Sequence, residues 1–369
     1  MKNGIRLAAI GGALLTGALA LSACGSDDNS GNGNGTAAAP EGNCVEATVN
    51  AAGSSAQKNA VDEWIKNYTA NCAGAVLNYN PSGSGAGIEA FNGKQAAFAG
   101  SDSVMKPEEA EAAKTRCAGN PALHLPMVVG PVAIAYNLDG VEGLQLSPET
   151  LANIFANKIK KWNDPAIAAD NPGVTLPDTN ITTVHRADES GTTDNFTKYL
   201  AAVVPDIWTF ETGKVWTAPG GQGGTKSDGV TTLVKQSKGS IGYVEMSYAE
   251  NASLSTVKVK NGAGEYTELT ADSASKVVAG AQVVGTGNDL ALKIDFAAKT
   301  PGAYPIVLVT YEIACEKGLT GKEGEFVKSF LTYTASEAGQ EALKGLGYAP
   351  LPPEIISKVR TSIDAISAA

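Results

Sequence analysis

Ile181-Thr182-Thr183-Val184-His185-Arg186-Ala187-Asp188-Glu189-Ser190-Gly191-Thr192-Thr193-Asp194-Asn195-Phe196 reads as a strand, a polar turn and the first turn of a helix. The β-rich residues 181–184 lead in, and apolar Phe196, Tyr199, Leu200 and Val203 follow at helical spacing. A helix N-terminus carries unpaired N–H groups and a partial positive charge, which makes it a ready anion site. Ser190 and Thr192 can add hydroxyl donors there, and Arg186 a planar fork of charge. A plainer reading has Ser190 only capping the helix and Arg186 pairing with Asp188 at the surface. The stretch alone supports both.

The same order recurs upstream. Residues 45–51 are strand-like and run into Gly53-Ser54-Ser55, after which Ala60, Val61, Trp64, Ile65 and Tyr68 mark one helix face. Residues 75–79 run into Asn80-Pro81-Ser82-Gly83-Ser84-Gly85-Ala86-Gly87, and residues 96–100 into Ser101-Asp102-Ser103. Pro107 with Glu108 and Glu109 opens a further helix. Repeated strand, Gly/Ser loop and helix predict a parallel sheet with ligands at the carboxyl ends of its strands. Residues 123–129 and 132–136 read as two strands broken by Gly130-Pro131, a crossing point between domains. A strand at 305–313 returns to the first domain, so the second is inserted within it. The loop at 220–224 precedes a helix capped near Ser227 or Asp228, and the apolar faces around 326–333 and 355–363 read as structural helices.

With 369 residues, 43% of them hydrophobic, the chain is long enough for two domains with their own cores. Residues 1–23 fall outside them. Lys2 and Arg6 precede an apolar run at 7–21 that is short for a membrane span, and Leu21-Ser22-Ala23-Cys24 closes it. That ending resembles the bacterial lipoprotein signal, which implies cleavage before Cys24 and a diacylglyceryl group on its sulfur. Residues 24–43 are Gly/Asn/Ser-rich and read as a flexible tether. Taking Lys2 and Arg6 from the 28 basic residues leaves 26 against 38 acidic ones, a balance of −12. Such a charge argues against nucleic acid and against electrostatic membrane binding, although a local site can still oppose the global field. Cys44, Cys72, Cys117 and Cys315 remain, with no Cys-x-x-Cys pair and only two histidines in the chain, so no metal site is expected. An exported chain with four cysteines more readily holds two disulfides; spacing does not fix their pairing, and Cys44–Cys72 with Cys117–Cys315 is the choice that would put each pair at neighbouring strand ends of the fold argued below.

Little in the chain suggests catalysis. The glycine runs at 83–87 and 220–224 fit neither a P-loop nor a dinucleotide fingerprint. His185, Asp188 and Ser190 crowd within six residues, whereas triad members usually come from distant segments, and no Gly-x-Ser-x-Gly elbow is present. What recurs is donors at three strand-to-helix junctions: Ser55 with the Ala56 N–H, Ser84, and Ser190-Gly191-Thr192. Arg186 and Asp102 accompany them. An excess of donors points to a small oxyanion. A carboxylate such as Asp102 repels an anion unless the ligand carries a proton for it to accept. Hydrogen phosphate has one and sulfate does not, and sites that read a ligand OH can reject analogues lacking it by about 10⁴–10⁵-fold.

Gly53-Ser54-Ser55, Gly83-Ser84-Gly85, Gly100-Ser101-Asp102 and Arg186-Ala187-Asp188-Glu189-Ser190-Gly191-Thr192 together resemble the phosphate-binding proteins of bacterial ABC-type phosphate transporters. Residues 158–165 (Lys-Ile-Lys-Lys-Trp-Asn-Asp-Pro) and Ile241-Gly242-Tyr243-Val244-Glu245 are similar to that family as well. The resemblance covers about residue 45 to the C-terminus. It implies an α/β, periplasmic-binding-protein-like fold of type II, with two α/β lobes joined by a two-stranded hinge. Lobe I would comprise 44–130 and 303–369, and lobe II 131–302. Ser55, the Ala56 N–H, Ser84 and Asp102 would bind phosphate from lobe I. Arg186, Ser190, the Gly191 N–H and Thr192 would bind it from lobe II, with Asp188 holding Arg186. Family members often carry Thr-Phe where this chain has Ser55-Ala56, and some carry Gly at Glu189. The implied protein is a monomer, lipid-anchored through Cys24 on the extracytoplasmic face, that needs no cofactor and delivers phosphate to an ABC permease. Alternatives are the same fold tuned to sulfate or molybdate, a secreted phosphatase, and a surface adhesion or sensing protein.

Overall fold

A computed structural model describes residues 44–367. The expected signal at 1–23, the lipidated Cys24 and the tether to residue 43 lie outside those residues. Among the described residues no helix is long and apolar enough to cross a membrane.

One nine-stranded sheet organises the molecule. From one edge its order is Val76–Asn80, Thr48–Gly53, Ala99–Ser101, Val307–Cys315, Ala122–Asn137, Ser240–Glu245, Thr182–Arg186 and Gln222–Gly224, with Ser255–Thr256 paired to Ala122–Asn137 off this path. The first three strands run parallel to one another, as do Ser240–Glu245, Thr182–Arg186 and Gln222–Gly224. Between these two parallel blocks stands the antiparallel pair Val307–Cys315 and Ala122–Asn137. Each block follows the strand–loop–helix rhythm of the sequence, so the loops after its strands gather at their carboxyl ends.

The two strands expected at 123–129 and 132–136 are one. Ala122–Asn137 runs unbroken for 16 residues. Its first part pairs with Val307–Cys315, from Ala122 opposite Cys315 to Pro131 opposite Val307, and its second with Ser240–Glu245, from Val132 opposite Glu245 to Asn137 opposite Ser240. Pro131 therefore marks a change of partner and not a break, a position where a strand tolerates the missing N–H. The Val132 N–H donates to Ile306 O at 2.9 Å, which carries the pairing across the junction.

Helices cover both blocks. Lys58–Asn71 buries Ala60, Val61, Trp64 and Tyr68, the stripe read from the sequence. Gly321–Ala335 presents Phe326 and Phe330 to Tyr68, and Pro353–Asp364 buries Ile355, Val359 and Ile363. Trp162 is fully buried, with its indole N–H on Gly239 O at 3.0 Å, so it serves packing. Segment 282–294 lies against the antiparallel pair: His124 Nδ1 meets Asp289 Oδ1 at 2.8 Å, and the Leu292 N–H donates to the Tyr311 hydroxyl at 3.1 Å. Disulfides join Cys44 to Cys72 and Cys117 to Cys315. The second ties the end of helix Pro107–Arg116 to the end of strand Val307–Cys315.

Candidate functional site

Thr48–Gly53 ends against Ala99–Ser101 almost backbone to backbone. Gly53 has φ +145°, and a Cβ there would fall 2.1 Å from Gly100 O. Only glycine allows that approach. It brings Ser54 to Asp102, whose Oδ2 accepts the Ser54 hydroxyl at 2.7 Å and the Ser84 hydroxyl at 3.1 Å. Thr310, from the central strand, donates to Asp102 Oδ1 at 2.7 Å. Ser84 opens the helix Ser84–Asn92, directly after Gly83 at φ +101°. Its hydroxyl oxygen accepts the Asp102 and Gly191 N–H groups, each at 3.2 Å, so it touches both blocks at once. Asp102 is 4% exposed. Burial pushes its carboxyl up to about 6; the Thr310, Ser54 and Ser84 hydroxyls pull it back in part, and the nearby Glu245 adds to the rise.

The opposing block supplies the cation. Arg186 ends its strand 3% exposed and binds Asp188 through both arms of its fork, Nε to Oδ1 at 2.9 Å and Nη2 to Oδ2 at 2.5 Å. This is the expected pair, but it is buried in the cleft and not at the surface. Asp188 Oδ1 also accepts the Lys226 N–H at 2.8 Å. Burial alone would raise the Asp188 carboxyl, but the bond to Arg186 and its charge outweigh that and hold it below its ordinary range. Ser190 caps the 13-residue helix Gly191–Val203, its Oγ accepting from Thr192 N at 3.1 Å and Thr193 N at 3.3 Å. Capping and anion binding are therefore compatible, because the oxygen serves the cap while the hydroxyl hydrogen can still be donated elsewhere.

Ser55, Ala56, Ser84, Asp102, Arg186, Asp188, Ser190, Gly191 and Thr192 gather where the two blocks meet, whereas Cys24 lies outside the described residues. Ser55 Oγ meets Ser227 Oγ across the cleft at 2.9 Å and accepts the Ser227 N–H at 3.2 Å. The Ala56 N–H donates to Ser54 Oγ at 3.0 Å. Thr192 Oγ1 donates to Glu245 Oε1 at 2.5 Å. Further contacts hold the blocks together: Asn195 Nδ2 on Asp102 O at 2.7 Å, Ser103 Oγ on Asp194 Oδ2 at 2.6 Å, and Lys214 Nζ on Glu109 Oε1 at 2.7 Å. Glu189 is exposed. His185 stacks on Trp216 with Nδ1 at 2.9 Å from Arg186 O, a packing role.

Sequence reasoning missed Ser54, Ser227, Glu245, Thr310 and Glu312. Ser54 sat beside Ser55 in the same loop. The sequence places a helix cap near Ser227 or Asp228, whereas Thr225 holds the N-cap position and both lie in the first turn of Lys226–Gln236. Thr310 and Glu312 carry no local signal, since they sit inside a strand buried along its whole length. Burial pushes the Glu312 carboxyl up to about 8; Gln57 beside it offsets part of this, and the Asp102 charge adds to it. Neither Glu312 oxygen completes a hydrogen bond of normal geometry.

A carboxyl raised in the folded state above its unfolded value near 4.5 favours folding when protonated. Its contribution is full in acid and is lost as pH rises through the folded value. Glu312→Gln should therefore stabilise the ligand-free chain by about 1–3 kcal/mol in mildly alkaline buffer, by removing a buried unpartnered charge. The difference should vanish below the unfolded carboxyl range. Thermal melts of both chains across pH test this, and parallel curves would refute it.

A family model described as a PBP superfamily domain matches residues 38–338. The chain is 44% identical to the phosphate-binding protein PstS 3 of Mycobacterium tuberculosis over 98% of its own length and 99% of that protein. It is 34% identical to the phosphate-binding protein PstS of Xylella fastidiosa, over 84% of this chain and 83% of that one. Among solved structures it is similar to a high affinity periplasmic phosphate-binding protein (PfluDING) bound with phosphate. There the TM-score is 0.66 and the identity 22%, covering 84% of this chain and 92% of that chain. At that identity the likeness shows the fold alone, an α/β fold of the type II periplasmic-binding kind.

Proposed function

The chain belongs to the phosphate-binding proteins of the PBP superfamily, and from that premise we propose that its cleft closes on one inorganic phosphate and hands it to an ABC-type permease. The family is one of binding proteins and not of enzymes. The observation that carries the reading is Ser84 Oγ, which stands within hydrogen-bond reach of Asp102 Oδ2 and of the Gly191 N–H from the opposing helix terminus. The two blocks thus meet at one hydroxyl, which donates to the Asp102 carboxylate of the first and accepts the Gly191 N–H of the second. In this reading Ser55, the Ala56 N–H and Ser84 donate to phosphate oxygens from one lobe (44–130 and 303–369). Arg186, Ser190, the Gly191 N–H and Thr192 donate from the other (131–302). Asp102 accepts the phosphate proton, and Asp188 holds the guanidinium while offsetting part of its charge. Closure about the two strands that cross near Pro131 and Ile306 buries the ligand, and contacts from both sides stabilise the closed state.

The site derives its affinity from oriented donors more than from net charge, since Arg186 is already paired with Asp188. Sulfate and molybdate suit it less, because they would face Asp102 without a proton. We place the protein on the extracytoplasmic face of the membrane, anchored through Cys24, as a monomer. Calorimetric titration of the full-length chain with phosphate and then sulfate, at neutral pH, tests the reading. One-site binding of phosphate with no heat from sulfate is expected. Tight sulfate binding would overturn the role of Asp102, and silence towards both anions would overturn the function.

A further inference from the structure

Past Gly53 the chain enters a buried loop, Ser54 to Ala56, whose three successive carbonyls are each held by a tyrosine. Tyr79 donates to Ser54 O at 2.8 Å, Tyr248 to Ser55 O at 2.7 Å and Tyr348 to Ala56 O at 2.8 Å. The three tyrosines come from different places. Tyr79 lies on Val76–Asn80, in the same sheet block as the loop, and Tyr348 on the segment before the helix Pro353–Asp364. Tyr248 belongs to the helix Met246–Asn251, which continues the strand Ser240–Glu245 of the opposing block. Ser227, in the first turn of Lys226–Gln236, reaches the loop from that block as well. Its N–H donates to Ser55 Oγ at 3.2 Å, and the two hydroxyl oxygens stand 2.9 Å apart.

The opposing block therefore grips both donors that this loop offers a phosphate. A peptide unit is planar and trans, so its C=O and N–H point opposite ways. Holding Ser55 O on Tyr248 fixes the plane that also carries the Ala56 N–H. That N–H is turned to the other side, where it reaches Ser54 Oγ at 3.0 Å beside Asp102. A carbonyl taken by a tyrosine is also a carbonyl not turned on an anion. Ser227 acts on the Ser55 side chain through a backbone N–H, which cannot swing as a hydroxyl can. It therefore holds Ser55 Oγ whichever way the two hydroxyl hydrogens point. We propose that Tyr248 and Ser227 are positioning residues of the phosphate site, aligning Ser55 and the Ala56 N–H only when the two blocks close. Neither touches the ligand. Both let go of the loop on opening, so their effect falls on phosphate release and not on capture. This deepens the phosphate reading above and rests on it.

Tyr248→Phe tests it, because the buried ring stays and only the hydroxyl goes. Ser55 O keeps the Lys58 N–H at 3.2 Å, so the carbonyl is not left without a partner. The full-length variant is loaded with radiolabelled inorganic phosphate and chased with unlabelled phosphate, and calorimetric titration gives its affinity. Release should be about 3–10-fold faster than in the wild type, the worth of one hydrogen bond, with affinity lower by the same factor and capture unchanged. The melting temperature of the ligand-free chain should not move. Tyr79→Phe, which cuts a bond inside one block, should lower it. An unchanged release rate in Tyr248→Phe overturns the proposal, and so does an affinity loss carried by slower capture. A lower ligand-free melting temperature in Tyr248→Phe also overturns it, since an ordinary structural hydrogen bond gives that result. Should this variant fail to fold, Ser227→Ala is read in the same way against the same outcomes. A wild-type chain that takes up no phosphate instead removes the phosphate reading itself, which keeps the two failures apart.

Discussion

Replacing Asp102 with asparagine should open the site to sulfate and weaken its hold on phosphate. Asp102 accepts hydroxyls from Ser54 and Ser84 on Oδ2 and from Thr310 on Oδ1. Asparagine keeps the shape, and the serine hydroxyls can rotate to accept from its amide, so the strand ends stay together. What disappears is a charged acceptor that only a proton-bearing ligand can satisfy. Sites that read one hydroxyl reject analogues without it by about 10⁴–10⁵-fold. The preference for phosphate over sulfate should therefore fall by about 10³-fold or more in Asp102→Asn. Parallel titrations of the variant with both anions measure it. A variant that binds phosphate weakly and still ignores sulfate would place discrimination elsewhere.

Gly191→Ala is the second large effect, and it acts on closure instead of chemistry. A Cβ at Gly191 would lie 2.4 Å from Asp102 Cβ, 2.7 Å from Asp102 Oδ2 and 2.8 Å from Ser84 Oγ. Asp102 is held by three hydroxyls and Ser84 begins a helix, so neither yields easily. Gly191 itself opens the helix Gly191–Val203 without a positive φ, and alanine is a better helix former than glycine. The added methyl should leave the second lobe as stable as before, or slightly more so, while blocking the approach of the first. Overpacking of this kind costs about 1–3 kcal/mol, or up to roughly 10²-fold in phosphate affinity. Titration combined with small-angle scattering checks it: the variant should remain expanded at phosphate concentrations that compact the wild type. Unchanged affinity would mean that the lobes need not meet at Gly191.

Both effects depend on residues that a reader of the sequence could find. Ser55, Ser84, Asp102 and the 186–192 segment announce themselves because each stands in a glycine- or serine-rich loop between a strand pattern and a helix pattern. The chemistry of the site lies in such local junctions. The assumed free state of their polar groups was less secure. Ser55 lies against Ser227, and Thr192 against Glu245. Those partners are 172 and 53 residues away, so no local spacing could have linked them.

The chain's own pattern determined the α/β class, the three loop-to-helix junctions and the residue types that gather there, since hydrophobic periodicity and turn chemistry act over a few residues. The tertiary structure decided that Ala122–Asn137 is one strand, because its two parts pair with different neighbours on either side of Pro131. It also decided that Arg186 is buried with Asp188, and that Thr310, Glu245 and Glu312 surround the cleft. These residues sit in or at the end of strands whose local pattern shows only burial. What they face depends on which strands lie beside them, and that is settled by packing across the whole sheet.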